Sequence, residues 1–185
     1  MNEAIFTQLQ KEMDQSIGAL RKELAKVRTG RASTALLEHV VVDYYGATTP
    51  LNQLATLSAP EPRLLVIQPY DRNALGNIEK AILKSDLGLT PNNDGKIIRV
   101  PIPQLTEERR KELVKHVKRI AEEFRVSIRN HRRDAVEELK EAEKKKEMTA
   151  DDSKHGQDRV QKITDDFIGR VDRIIKTKEE EIMEV

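Results

Sequence analysis

The chain has no cysteine and no tryptophan, and phenylalanine and tyrosine contribute only three residues each. Without cysteine there are no disulfides, no thiolate nucleophile and no cysteine-ligated zinc site, a composition that fits a reducing cytosol. So few aromatics argue against a thick globular core, and they leave no aromatic platform of the kind on which many RNA-binding domains stack bases. Long apolar runs are missing too, since nothing approaches the ~18 residues of a membrane span. The opening stretch MNEAIFTQLQKEMDQ is acidic and amphipathic, unlike a signal peptide. Catalytic signatures are equally scarce. His39, His116, His131 and His155 are scattered, and neither G-x-S-x-G, H-E-x-x-H nor a calcium-loop pattern occurs. GLTPNNDGK (88–96) comes nearest to a phosphate loop, but six residues separate its glycines and Ile97 follows the lysine. Asn92-Asn93-Asp94-Gly95 therefore reads as a turn. The expectation is a protein that is not an enzyme and carries no metal or cofactor.

What the sequence does have is charge and helical periodicity. Asp, Glu, Lys and Arg make up 35% of its 185 residues, although the net charge is only +1. Residues 3–28 carry Ile5, Leu9, Met13, Ile17, Leu20, Leu24 and Val27 in steps of three and four, one apolar stripe on a helix. The pattern stops at Thr29-Gly30 and resumes from 105 with Leu113, Val117, Ile120, Phe124, Ile128, Ala135, Leu139 and Ala142. Thr106 before Glu107 and Glu108 is a plausible start for this helix. Its span of 105–146 predicts a rod of roughly 60 Å at ~1.5 Å per residue. Thr149 with Asp151 and Asp152 then offers a cap for a third helix bearing Val160, Ile163, Phe167, Val171, Ile174 and Ile182. Three singly striped helices bury their stripes together, which predicts a bundle from 1–29 and 105–185.

Residues 30–104 read differently. VVVDYY (40–45), LATLS (54–58), RLLVIQPY (63–70) and KIIRVPIP (96–103) are short, β-branched and bounded by turn formers. A helix from about Asn73 to Asp86, with Leu75, Ile78 and Ile82 on one face, interrupts them before Gly88. The insert is a small α+β domain spliced between the first and second helices of the bundle. The chain crosses between the two at Thr29-Gly30-Arg31 and again at Pro101-Ile102-Pro103-Gln104, a pair of short crossings suited to a hinge.

SIRNHRRDA (127–135) packs three arginines and a histidine into nine positions. On a helical wheel centred on Phe124, Lys111, Lys118, Arg125, Arg129 and Arg132 fall between roughly +80° and +140°, along the flank of the apolar face. Residues 105–133 hold ten Lys or Arg against five Glu, whereas 134–158 hold five Lys against nine acids. Surface charge of this kind is ordinarily solvated and paired within a helix, and Glu122 stands beside Arg125 and Arg129. Arginine in preference to lysine at the 125–133 end suits bidentate contact with phosphate, and a basic stripe suits a nucleic-acid backbone. His131, at roughly −20° on the same wheel, reads as a packed histidine at the edge of the core. The competing reading is a helical structural or adaptor protein whose basic stripe docks an acidic protein partner.

KVRTGRAS (26–33), VVDYYG (41–46), TPLNQLA (49–55), SDLGLTPNNDGKIIRVPIPQLTEERRKELVK (85–115), IRNHRRDA (128–135) and the closing KEEEIMEV together resemble the bacterial ribosome recycling factors, in order and over the whole chain. Tyr70 stands where that family more often has tryptophan, and Ile128 and His131 vary the arginine motif, changes of packing more than of charge. The resemblance implies an L-shaped α+β molecule, a long antiparallel three-helix bundle joined by a mobile hinge to an inserted β/α/β sandwich domain. It implies a cytoplasmic, monomeric factor without membrane contact that binds the large ribosomal subunit after termination. The arginine-bearing face would lie on ribosomal RNA, and elongation factor G with GTP would act on the smaller domain so that messenger and transfer RNA leave. By that likeness Arg132 leads the RNA-contacting residues with Arg129 close behind, and Arg28, Arg31 and Arg110 support them.

Overall fold

In the computed structural model, which describes residues 3–184, the chain forms two compact units. One consists of the residues up to Thr29 together with those from Glu107 onward, and the other is Gly30–Thr106.

The first unit holds three long helices: α1 (Glu3–Ala25), α4 (Glu107–Lys144) and α5 (Ala150–Met183), numbered with the two short helices of the insert. Each buries its stripe against the other two, from Leu9, Met13 and Leu20 on α1 to Val117, Ile128 and Leu139 on α4 and Val160 and Val171 on α5. The first helix ends three residues before the expected 28. Its last turn tightens, with the Lys26 and Val27 amides bonding to the carbonyls of Glu23 and Leu24, so Val27 stays buried outside the helix proper. Helix α4 is 38 residues, about 57 Å at ~1.5 Å per residue, rather than the 42 of 105–146. It stops because Lys146 turns to φ +58, with the Lys146 amide on Glu143 and the Glu147 amide on Ala142. That pair of bonds is a Schellman closure, which usually takes glycine at the left-handed position. The Thr149 hydroxyl then accepts the Asp152 amide at 3.0 Å and starts α5, as the sequence predicts.

On α5 the buried row runs through Ser153, Gly156, Val160, Thr164, Phe167, Val171 and Ile175. The sequence reading put Ile163 and Ile174 in this row, but both flank it half-buried. Thr164 occupies the core without penalty because its hydroxyl donates to the Val160 carbonyl at 2.8 Å. Gly156 is needed for closeness, since a Cβ there would stand 3.1 Å from both methyls of Leu139.

The second unit begins with a 3-10 turn (Thr34–Leu37) and an antiparallel hairpin of β1 (Val41–Tyr44) and β2 (Ala47–Pro50). A single helical turn, α2 (Leu51–Leu54), leads into a four-stranded antiparallel sheet of order β3-β4-β6-β5. Its strands are β3 (Ala55–Glu61), β4 (Leu64–Pro69), β5 (Asn92–Asn93) and β6 (Ile98–Pro101). Helix α3 (Leu75–Lys84) follows a 3-10 turn at Arg72–Ala74, and its Ile78 and Ile82 join Val42, Leu51, Leu65, Ile67, Ile98 and Val100 in one core. Strand β2 and α2 were not foreseen, because the half-exposed ATTP offers no apolar alternation.

Asn92 and Asn93, read from sequence as part of a turn, pair instead with Arg99 and Ile98 as the edge strand. The turn itself is built by Asp94, whose Oδ1 accepts the amides of Lys96 and Ile97 at 2.9 Å each while Oδ2 meets Arg99 at 2.7 Å. These donors, the Ile97 and Lys96 amides first, hold the Asp94 carboxyl at about 2.

Replacing Lys146 with glycine removes the Cβ penalty of the left-handed closure. Lys146→Gly is expected to raise bundle stability by about 1 kcal/mol, read from the midpoint of chemical denaturation. An unchanged or lowered midpoint would mean that the lysine side chain, and not the backbone, governs this corner.

Candidate RNA-binding face of the helical bundle

Helix α4 fixes the azimuth of every cation on it, and the cross-helix hydrogen bonds show where the expected stripe lies. It runs along the seam between α4 and α5. Arg125 sends Nε and Nη2 onto Asp172 Oδ1 at 3.0 and 2.6 Å, and Nη1 onto Glu122 at 3.3 Å. Its side chain is only 24% exposed, and Asp172 above all raises its pKa. Arg125 is therefore a strut between helices whose charge is already satisfied, a different part from the open cation that the wheel suggests. Arg129 reaches Glu122 at 3.2 Å and Lys111 reaches Glu107 at 3.0 Å, both in exposed pairs of the weak kind. Lys118 is exposed and stands on the rim of an open groove of about 470 Å³ with Ala121, Arg125, Asp172, Ile175 and Lys176.

Arg132 differs from all of these. It lies half-buried across the seam, and its Nη1 donates to the Gln161 amide oxygen at 3.4 Å. Gln161 in turn donates to Asp165 at 2.8 Å. The partner of Arg132 is thus a neutral amide in a long bond, so no carboxylate compensates the guanidinium and most of its donors remain open. Arg133, on the far side of the wheel, is exposed and bonds Asn130. Arg110 is half-buried near the start of α4, while Arg28 and Arg31 are exposed at the exit from α1.

His131 does sit at the edge of the core. Its Nδ1 is 3.1 Å from Glu12 and its Nε2 3.5 Å from the Ser16 hydroxyl, both on α1, with Ser127 next to Ser16 at 3.4 Å. It serves packing between α1 and α4 and faces away from the arginine seam.

A second gathering of cations was missed. Between α1 and α5, Arg21, Arg170, Arg173 and Lys178 surround Leu24 and Ile174 in an open groove of about 610 Å³, with Glu181 as the one acid. Arg170 is tied to Asp166 and Asp14 and lies over the Phe167 ring at 4.5 Å, whereas Arg21 and Arg173 form no ion pair among the described residues. The signal was present, since Arg170 and Arg173 share a face of α5, but that helix was read for its apolar residues alone. Unpaired guanidinium groups on rigid helices at two seams are chemically suited to phosphodiester oxygens. Among the described residues no group of three or more His, Asp or Glu is placed to hold a metal ion. No helix is long and apolar enough to cross a membrane, again among the described residues.

The crossings between the units are tighter than the sequence suggests. Pro101 is the last residue of β6, paired with Leu64, and the Ile102 amide bonds the Arg63 carbonyl at 2.8 Å. Pro101 is therefore part of the sheet, and the segment without regular structure is Ile102–Thr106, which holds Pro103 and Gln104. On the other crossing Gly30 has φ +78, and a Cβ on it would stand 2.9 Å from Leu105 Cγ. Glycine is required there by both conformation and space.

Residues 20–183 match the model of the ribosome recycling factor family. The chain belongs to that family. It is 59% identical to the ribosome-recycling factor of Carboxydothermus hydrogenoformans over 185 residues, the whole of both chains. The factors of Natranaerobius thermophilus, 57% over 97% of this chain and 98% of that one, and Bacillus subtilis, 55% over the whole of both, are similarly related. A solution structure of a ribosome recycling factor matches with a TM-score of 0.75 at 44% identity, covering 99% of this chain and 97% of the other. The T. thermophilus ribosome recycling factor, described with E. coli elongation factor G bound to the E. coli post-termination complex, matches at 0.64 and 49% identity over 98% of each chain. An all-antiparallel small unit and a three-helix bundle in one ribosome recycling factor chain are the mixed α+β fold that the sequence predicts.

The Arg125–Asp172 strut has a measurable consequence. Arg125→Ala leaves Asp172 without its cross-helix partner and is expected to cost about 1 kcal/mol of bundle stability. Arg129→Ala, losing one exposed pair, is expected within about 0.5 kcal/mol of wild type. Equal midpoints for the two variants in urea would show that the strut contributes nothing.

Proposed function

We propose that this protein is a translation factor that binds the post-termination ribosome and, with elongation factor G and GTP, separates the subunits so that messenger and transfer RNA are released. The observation that carries the site is Arg132: a half-buried guanidinium on a rigid helix, bonded to an amide instead of a carboxylate. It is the one arginine of the SIRNHRRDA segment that both faces the α4–α5 seam and lacks an acidic partner. In this reading the seam lies on ribosomal RNA of the large subunit. Arg132 leads, with Arg129, Arg110, Lys118 and Lys111 beside it, Arg28 and Arg31 at the exit from α1, and Arg125 holding the seam in shape. Arg129 and Lys111 exchange weak surface carboxylates for phosphates on docking, which costs little. The factor works in the cytoplasm as a monomer, without catalysis of its own or a cofactor. It takes the energy of GTP from its partner.

Binding to isolated large subunits tests this directly. If several seam cations neutralise phosphates, log K falls by about 0.7–0.9 per contact for each decade of salt. A charged hydrogen bond to phosphate is worth about 1.5–3 kcal/mol, so Arg132→Ala is expected to weaken sedimentation with subunits ten-fold or more, with its melting temperature nearly unchanged. Arg133→Ala, on the opposite side of the helix, is the control and binds almost normally. Equal losses for the two would sink the assignment of the face. An affinity indifferent to salt would favour an adaptor that docks protein.

The crossings at Thr29-Gly30-Arg31 and Pro103-Gln104, with Pro101 as the anchor at the end of β6, form the hinge in this reading. Spin labels placed one on each unit are expected to report a broad distribution of distances in the free protein. A single narrow distance would mean that the crossings are rigid.

A further inference from the structure

The seam between α1 and α5 changes character along its length. Near its start Arg159 of α5 meets Glu3 of α1 at 2.8 Å, and further along Arg170 meets Asp14 at 3.6 Å. Both pairs join residues 156 positions apart, so the two helices keep one register. Carried on to Arg21, that offset falls on Thr177, with Arg173 one turn before it and Lys178 next to it, all lining one groove. Where the seam has twice set an acid against a base, it here sets base against base. Lys178 has Glu181 of its own helix at 3.7 Å, and Arg21 and Arg173 have no ion pair among the described residues. Like charges gathered at one height of the bundle repel, at a cost in stability.

The other flank of α5 is cationic at the same height. Lys176 and Lys118 line the α4–α5 groove, and neither forms an ion pair among the described residues. Lys176 and Thr177 are successive residues, so the two grooves diverge by roughly 100° around the helix. The α1–α4 seam, by contrast, holds His131 against Glu12 and Ser16.

We infer that the α1–α5 groove binds a second segment of large-subunit ribosomal RNA by its phosphate backbone, so that the bundle lies in a cleft with α5 innermost and cations toward both walls. The inference rests on the function proposed above and extends it to a separate face of the bundle. A rod with cations on one flank suits a flat surface, whereas cations on two flanks of one helix suit two walls. The lining decides between RNA and an acidic protein segment. Leu24 is buried and Ile174 half-buried, which leaves Ala25 as the exposed apolar residue and little area for an amphipathic protein helix. The Thr177 hydroxyl is turned to the Arg173 carbonyl at 3.1 Å, so the groove presents charge and not a pattern that reads base edges. A phosphodiester strand carries a charge at every nucleotide. It can neutralise Arg21, Arg173 and Lys178 together, which relieves their repulsion and releases counterions from the RNA.

Arg21→Glu separates docking from folding, because it supplies the acid that this height of the seam lacks, in the register of Glu3 and Asp14. Its melting temperature is expected at or above wild type, while affinity for isolated large subunits falls about ten-fold or more. Arg173→Ala is expected to lower the slope of log K against log salt by about 0.7–0.9, with its melting temperature unchanged, and Arg173→Lys keeps most of the wild-type slope. The losses of Arg21→Glu and Arg132→Ala should multiply in the double variant, since both walls are held at once. Wild-type affinity in Arg21→Glu would overturn the inference. So would a lower melting temperature in step with the lost binding, which makes the arginine structural. Weaker binding by Arg173→Ala with the salt slope unchanged would mean that a protein segment fills the groove. Losses that fail to multiply would mean two alternative docking modes and no cleft. If Arg132→Ala alone loses binding, this inference falls by itself; if neither variant does, the seam proposed above falls with it.

Discussion

Each of the three long helices has a single apolar stripe and is otherwise charged, so none can hold its shape in water without the other two. Burial of these stripes is the constraint from which the rest of the bundle follows. Val117, Ile128 and Leu139 lie fully inside and thereby set the rotation of α4 about its own axis. Once that rotation is set, the positions one step round the helix must lie over α5, and the arginine stripe becomes the rim of a seam. The close passage of Gly156 under Leu139 narrows the same seam toward its far end. A cationic surface made in this way is preorganised. Its cations are carried by a rod that pays little entropy on docking, and a strut such as Arg125–Asp172 keeps the two rods in register.

The small unit solves a different problem with different means. Its core is made of short strands and one amphipathic helix, and its turns are held by carboxylates that accept backbone amides. Asp94 and Asp71 each do so, and each keeps its charge because those amides stabilise the ionised form. Such turns project side chains from fixed points. The bundle therefore carries rows of guanidinium groups, while the insert uses its carboxylates to hold its own turns, in one chain of almost zero net charge.

Much of the architecture was legible before any coordinates. Apolar spacing marked three helices and their inner faces, Thr149 marked the start of α5, and the β-branched runs at 40–45, 54–58, 63–70 and 96–103 marked the strands of the insert apart from β2 and β5. Strand β2 and the edge strand at Asn92–Asn93 were illegible because their pairing is made by backbone groups, which leave no mark on side-chain pattern. The end of α4 was misjudged for a similar reason, since its left-handed closure falls on Lys146 and no glycine announces it.

What the sequence determined by itself is local: which stretches are helical, which face of each is apolar, and on which azimuth the arginines lie. Periodicity encodes these because neighbours three and four residues apart share a face whatever else the chain does. Only the tertiary structure decided which arginines are already spent. Arg125 finds Asp172 47 positions away, and Arg132 finds Gln161 29 positions away. The difference between a carboxylate and an amide at those distances separates a strut from an open cation. Nothing within α4 specifies it, because the partner is chosen by the rotation and height at which α5 packs.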